Sequence, residues 1–223
     1  MLTVGVCDDH PAIRKALARA LREAGHEVVV AHDGREALAR FGPDGAVDVV
    51  VMDIGLPDAD GRDVVQALHA TGAQAPVLFL TALGGGHDKL SGFAAGGEDY
   101  VVKPFDVREV LARIDVLGRR ARREPDGRAP DRGLELDPVR HAVRTSAGEA
   151  MLSPTEFRVL AAILARRGEV VRRRAVVAAA WPDGAIVADN TLDSFVRRIR
   201  AKLREVDSPV ALETLRGVGF RIP

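Results

Sequence analysis

The sequence predicts an α/β domain on a doubly wound, five-stranded parallel sheet, followed by a smaller α+β domain. Three observations carry this. Short apolar, Val-rich runs alternate with amphipathic stretches over residues 1–118, as parallel strands covered on both faces require. A charged segment with two prolines and two glycines, residues 119–133, then interrupts the pattern as a linker would. Charge also divides the 223-residue chain: residues 1–117 hold 11 Lys and Arg against 18 Asp and Glu, a balance of −7, and residues 118–223 hold 21 against 14, a balance of +7. A neutral chain divided this way joins an acidic module, suited to a cation, to a basic one, suited to nucleic acid.

The predicted strands of the first domain are Thr3–Cys7, Val28–Ala31, Val47–Met52, Val77–Leu80 and Tyr100–Val102. The predicted helices are Ala12–Ala24, Arg35–Phe41, Arg62–Thr71, Asp88–Ala95 and Val107–Leu117. In the first helix Ile13, Leu17 and Leu21 recur four apart on one face. The second domain, 134–223, opens with a short alternating strand at Leu134. Helices are expected at Thr155–Ala165, about Arg174–Ala180 and Thr191–Glu205, then a hairpin over Leu212–Ile222. No apolar run approaches the roughly 20 residues of a membrane helix. The N-terminus lacks a secretory pattern. The single cysteine, Cys7, allows no intrachain disulfide and is expected to be a small buried residue. A cytoplasmic protein is expected.

Doubly wound sheets place their working site beyond the C-terminal strand ends. Asp8 and Asp9 follow the first strand, Asp53 the third, Thr81 the fourth and Lys103 the fifth. With the first, third, fourth and fifth strands adjacent, these side chains converge. Three close carboxylates repel one another, and a divalent cation removes that penalty. Oxygen-only ligands suit Mg²⁺, which keeps waters and accepts a phosphate oxygen. Lys103 can neutralise phosphate oxygens and Thr81 can donate to one. The implied chemistry is attack of a carboxylate on phosphorus, giving an acyl phosphate. An Asp-Asp pair, a strand-end Thr or a Lys-Pro step says little alone; specificity lies in all five at successive strand ends.

In the helix Asn190–Glu205, Leu192, Val196, Ile199 and Leu203 fall within a stripe of about 60°, the core face. Asn190, Ser194, Arg197, Arg198 and Ala201 point away, with Arg200 on one flank and Phe195 and Lys202 on the other. One packed face and an arginine-lined outer face with small residues fit a DNA major groove. For an isolated helix a solvated basic face is the better reading, and the context shifts it. The preceding helices and the glycine-rich hairpin make the pattern a winged helix-turn-helix.

Residues 1–118 resemble the flavodoxin-like receiver domain of two-component response regulators. The matching strings are Cys7-Asp8-Asp9-His10, Met52-Asp53-Ile54-Gly55-Leu56-Pro57, Leu80-Thr81-Ala82 and Val102-Lys103-Pro104-Phe105. The resemblance implies phosphorylation of Asp53 by a sensor histidine kinase, with Mg²⁺ on Asp9, Asp53 and the Gly55 carbonyl, and on Asp8 through water. It implies phosphoryl contacts from Thr81 and Lys103, a cis Lys103–Pro104 bond, and Tyr100 as a switch aromatic that turns inward when Thr81 moves. Gly84-Gly85-Gly86 depart from the pattern and imply a mobile loop, and Glu98 stands for a usual aspartate.

Residues 133–222 resemble the OmpR/PhoB-type effector domain through Leu152-Ser153-Pro154-Thr155-Glu156-Phe157, Asp193–Leu203 and Thr214–Arg221. This resemblance implies DNA contacts from Arg197, Arg198, Arg200 and, in the wing, Arg216, and an RNA polymerase contact over Pro182–Asp189. Phe195 replaces a commonly polar position, where it either meets a thymine methyl or extends the core. The family forms a homodimer on activation, with Lys89–Glu109, Asp99–Arg113 and Glu98–Arg120 as pairs across a twofold; the alternative is pairing within one chain.

The expected function is a phosphorylation-controlled transcription factor rather than an enzyme, binding promoter DNA and no membrane. The nearest rival is a regulator acting independently of phosphorylation. An acyl-phosphate hydrolase needs a carboxylate two residues after the nucleophile, where this chain has Gly55. A protein-binding adaptor using its winged helix without DNA is a third class.

Overall fold

The computed structural model describes residues 1–45, 47–82, 97–121, 133–181 and 187–223, with the side chains of Glu98, Arg120, Ala121 and Asp189 outside that description. The predicted helix at Asp88–Ala95, the Gly84–Gly86 run, Lys89, and most of the linker and of the Pro182–Asp189 loop lie outside the described residues.

Five parallel strands, β1 (Thr3–Cys7), β2 (Glu27–Ala31), β3 (Val49–Asp53), β4 (Val77–Thr81) and β5 (Gly97–Val102), take the order β2-β1-β3-β4-β5. Side chains alternate between the two faces of this sheet. Val4, Val6, Val49, Val51, Leu78 and Leu80 meet helices α1 (Pro11–Glu23) and α4 (Val107–Ala121) through Leu17, Leu21, Ile114 and Leu117. Cys7, Val50, Met52 and Phe79 meet α2 (Gly34–Phe41) and α3 (Gly61–Ala70) through Phe41, Val64, Val65 and Leu68. Helix α4 runs past the expected boundary at 118 to Ala121. A Cβ at Gly118 would stand 2.4 Å from Leu2 Cδ1, so the glycine lets α4 lie close against Leu2 at the entry of the first strand.

Among the described residues the second domain has two small sheets and three helices. Strands β6 (Glu135–Asp137), β7 (Ala142–Thr145) and β8 (Gly148–Met151) form an antiparallel sheet. Strands β10 (Glu213–Leu215) and β11 (Gly219–Arg221) form the expected hairpin, and β9 (Val171–Arg172) pairs with β11. Between the sheets lie α5 (Pro154–Leu164), α6 (Arg173–Ala180) and α7 (Asp189–Glu205). Ser153 and Glu156 form a reciprocal capping box at the start of α5. Strands β7, β8 and β9 escape the sequence reading: they are two to four residues long and mix charged with small residues, so no two-residue period develops.

The domains touch. Ala67 of α3 is fully buried in the second domain's core, and Leu38 and Ala70 pack against that core.

Candidate phosphoacceptor and DNA-reading sites

Sheet register assembles the acidic site. Cys7 pairs with Met52, so the next residues, Asp8 and Asp53, stand side by side at the point where strand order reverses. Asp53 pairs with Leu80 and Thr81 with Val102, which puts Thr81 and Lys103 on the other flank. Asp8, Asp9 and Asp53 can bring one carboxylate oxygen each within 4.8 Å of the others. Asp8 and Asp53 are buried, at 0% and 5% exposure, and Asp9 is exposed. Two buried carboxylates, an open third and no sulfur or nitrogen donor suit a hard divalent cation. Arg14 Nη1 donates to the carbonyls of Asp8 and Asp9 at 2.7 and 3.2 Å and fixes that turn.

Lys103 Nζ donates to Asp8 Oδ2 and to Asp53 Oδ2, both at 2.8 Å. Burial pushes the Asp53 carboxyl above its ordinary range, against the pull of Lys103 and with the push of Asp8. Burial opposes the charge of Lys103 as well, but its hydrogen bonds to Asp53 and Asp8 outweigh it and hold the ammonium above its usual range. One cation shared between two buried carboxylates leaves the acidic site short of positive charge. Lys103–Pro104 is cis, and the Lys103 amide donates to the Thr81 carbonyl at 2.7 Å.

After Asp53 the chain makes a closed loop. Gly61 N donates to the Ile54 carbonyl at 2.9 Å, Gly55 pairs with Asp60, and Asp60 caps α3 through the Arg62 amide. Gly55 N reaches Asp53 Oδ1 at 3.4 Å. Thr81 is buried. Tyr100 already stands inward, stacked on Phe79 at 5.4 Å between centroids, because the apolar α2–α3 side of the sheet offers it a face. Cys7 is buried as expected; burial and the nearby Asp33, Asp58, Asp53 and Asp8 push its thiol far up, so it is inert. His10 is exposed at the start of α1.

On α7, Leu192, Val196, Ile199 and Leu203 are all buried. Asn190 and Arg197 are exposed on the opposite side, as is Arg216 at the hairpin tip beside Gly217 (φ 72°). Ser194 donates to the Asn190 carbonyl. Two of the expected arginines have partners inside the domain. Arg198 Nε donates to Glu156 at 2.8 Å and stacks 4.3 Å over the Phe195 ring. Arg200 donates to the Leu212 carbonyl and to Thr214 Oγ1, tying α7 to the hairpin. Phe195 is half-buried and packs edge-on to Trp181, which itself packs against the effector core. Sequence reasoning missed Glu156 as the anchor of this face. It is 3% exposed and also accepts from Lys202 Nζ at 2.6 Å. The Ser-Pro-Thr-Glu string reveals its capping role, but only packing brings α5 and α7 together.

Of the expected twofold pairs, Asp99 and Arg113 bond within the chain at 2.6 Å, and Arg113 also meets Glu109 at 2.8 Å. The hydrogen bonds that Arg113 donates to Asp99 and Glu109 raise its pKa further. The Lys89–Glu109 and Glu98–Arg120 pairs involve side chains outside the described residues.

Residues 4–115 match the response regulator receiver domain family, and residues 148–222 match the family of C-terminal domains of transcriptional regulatory proteins. The chain belongs to the two-component response regulators of the OmpR/PhoB type, which are phosphorylation-controlled transcriptional regulators. It is 38% identical to the transcriptional regulatory protein TcrA of Mycobacterium tuberculosis over 219 residues, covering 97% of this chain and 85% of that one. It is 36% identical to the response regulator MprA of Mycobacterium ulcerans, covering 96% and 94%. Among solved structures, the receiver domain of Francisella response regulator 1452 superposes with a TM-score of 0.50 at 32% identity, covering 54% of this chain and 98% of that one. No helix among the described residues is long and apolar enough to cross a membrane.

Proposed function

We propose that Asp53 is the residue phosphorylated by a sensor histidine kinase, and that the phosphoryl group controls promoter binding by α7 and the hairpin. The observation that carries this is the shared ammonium: Lys103 Nζ lies 2.8 Å from both Asp8 and Asp53. An oxygen of Asp53 attacks phosphorus in line, the phosphorus–nitrogen bond of the phosphohistidine breaks, and an acyl phosphate remains. Lys103 then has a phosphoryl oxygen to neutralise, and the Thr81 hydroxyl has one to donate to. Asp8, Asp9 and Asp53, with the Gly55 carbonyl, would hold Mg²⁺, and the ion would supply the positive charge that lets a dianion approach carboxylates. Gly55 places no acid or base two residues after Asp53, so the phosphate is stored rather than turned over.

The domain limits that fit this reading are a receiver that extends beyond 118 to the end of α4 at Ala121, a linker from there to 133 and an effector over 134–223. Arg197, Asn190, Ser194 and Arg216 are the proposed DNA contacts, with Arg198 joining them by leaving Glu156. Arg200 supports the hairpin. Homodimerisation through the β5–α4 face would exchange the Arg113–Asp99 bond for its counterpart across a twofold, and Pro182–Asp189 would face RNA polymerase. All of this belongs in the cytoplasm.

The test is Asp53→Ala, read by genome-wide DNA occupancy and by dimerisation under inducing conditions. Loss of both supports phospho-control. Unchanged occupancy and dimerisation would sink it and leave a regulator independent of phosphorylation.

A further inference from the structure

Asp63 stands in the first turn of α3, on the acidic domain, yet it is 1% exposed. Its partners belong to the other domain. Arg158 of α5 donates to it twice, at 2.6 and 3.1 Å, and His141 Nε2 lies 3.2 Å away. Further along α3, Gln66 Nε2 donates to the Ala179 carbonyl at 3.4 Å, and Ala67 enters the effector core. Removed from the effector, this face of α3 would return to water. A buried carboxylate whose guanidinium and imidazole partners lie across a domain boundary therefore holds only while the domains are docked.

The same helix begins at the phosphoacceptor loop. The Asp53 carbonyl lies against Gly61, the first residue of α3. Asp60, which caps α3 and pairs with Gly55, comes within 3.7 Å of Arg158. The effector thus grips the loop that leads directly from Asp53. We propose that the contact of Asp63 with Arg158 and His141 is an interdomain latch that holds this loop in one arrangement and opposes phosphorylation of Asp53. The proposal rests on the reading of Asp53 as the phosphate acceptor. The latch leaves the exposed Arg197 and Asn190 of α7 uncovered, so it acts on the loop and on the docked end of α6, not by masking the DNA-reading face. Coupling of this kind is reciprocal: whatever closing the latch does to phosphorylation, phosphorylation does to closing. It also gives the −7 and +7 halves a role toward each other besides their outside partners.

The experiment uses the full chain with Arg158→Ala, Asp63→Ala and both together. Small-angle X-ray scattering reads the spacing of the domains. Phosphoramidate with Mg²⁺, followed by intact-mass spectrometry, reads the rate of phosphorylation. Each single variant is expected to increase the radius of gyration and to raise the initial rate about 5-fold or more. The double variant is expected to fall well short of the sum of the singles, because each already removes the Asp63–Arg158 pair. Unchanged scattering in both single variants, or more extended particles with an unchanged or slower rate, overturns the latch. Additive effects in the double variant overturn the pairing. A wild-type chain that takes up no phosphoryl group sinks the acceptor reading instead, and scattering still decides whether the domains separate.

Discussion

The carbonyl oxygen of Asp53 occupies the space that a side chain at Gly61 would need, 2.0 Å from the position of a Cβ. The turn that returns the chain from the acidic site to α3 closes on itself, and its first and last residues touch. Gly61→Ala must push the Asp53 backbone away. It is expected to destabilise the receiver by about 1–3 kcal/mol and to weaken Mg²⁺ binding, measured by thermal unfolding with and without Mg²⁺. A variant with wild-type stability and Mg²⁺ response would contradict the tight turn.

Lys103 is the counter-ion of two buried carboxylates. In Lys103→Met, Asp8 and Asp53 keep their burial and lose their cation. The loss is expected to be about 3–5 kcal/mol at pH 7.5. Without Lys103 the folded-state pKa of Asp53 rises further above its unfolded value, so protonation favours the folded chain. Stability should therefore be regained as the pH falls from 7.5 toward 5, and also on adding Mg²⁺ at pH 7.5. Urea titrations at the two pH values check this, and a loss that deepens on acidification would refute it.

Glu156 carries the opposite sign. Burial raises its pKa, but Lys202, the Ser153 amide and Arg198 outweigh burial and hold the carboxyl below its ordinary range. Its contribution is present above the unfolded carboxylate value and disappears as the pH falls through the lowered folded one. Glu156→Gln should flatten that acid limb and cost about 2–3 kcal/mol at neutral pH. Trp181, the only tryptophan, reports it by fluorescence from the effector. An unaltered acid limb would remove Glu156 as the anchor.

The arginines of α7 separate by partner. Arg197→Ala is expected to cost about 1–3 kcal/mol of promoter affinity and, if it meets phosphate, to reduce the salt slope by about 1, with stability unchanged. Arg200→Ala should instead lower effector stability, because Leu212 and Thr214 lose their donor. Binding isotherms across salt, alongside unfolding curves, distinguish the two. Equal effects of both variants on stability would erase the distinction.

The sheet, its strand-end residues and the buried stripe of α7 were legible in sequence, because parallel strands covered on both faces require continuous apolar runs and an amphipathic helix repeats its apolar side chains every three to four residues. The motif strings identified the family for the same local reason: phosphate chemistry needs particular side chains at particular strand ends. The short strands β7, β8 and β9 were not legible, since two to four residues cannot establish a period. Nor was the continuation of α4 through Gly118, which depends on how close Leu2 lies. Tertiary structure alone decided the partners of the charges. Arg198 and Arg200 were expected on DNA, and nothing in the spacing of Asp63 or Glu156 points to a partner, yet each of the four finds one 12 to 95 residues away. Charge pairing at that separation is set by how helices pack, and sequence spacing carries no record of it.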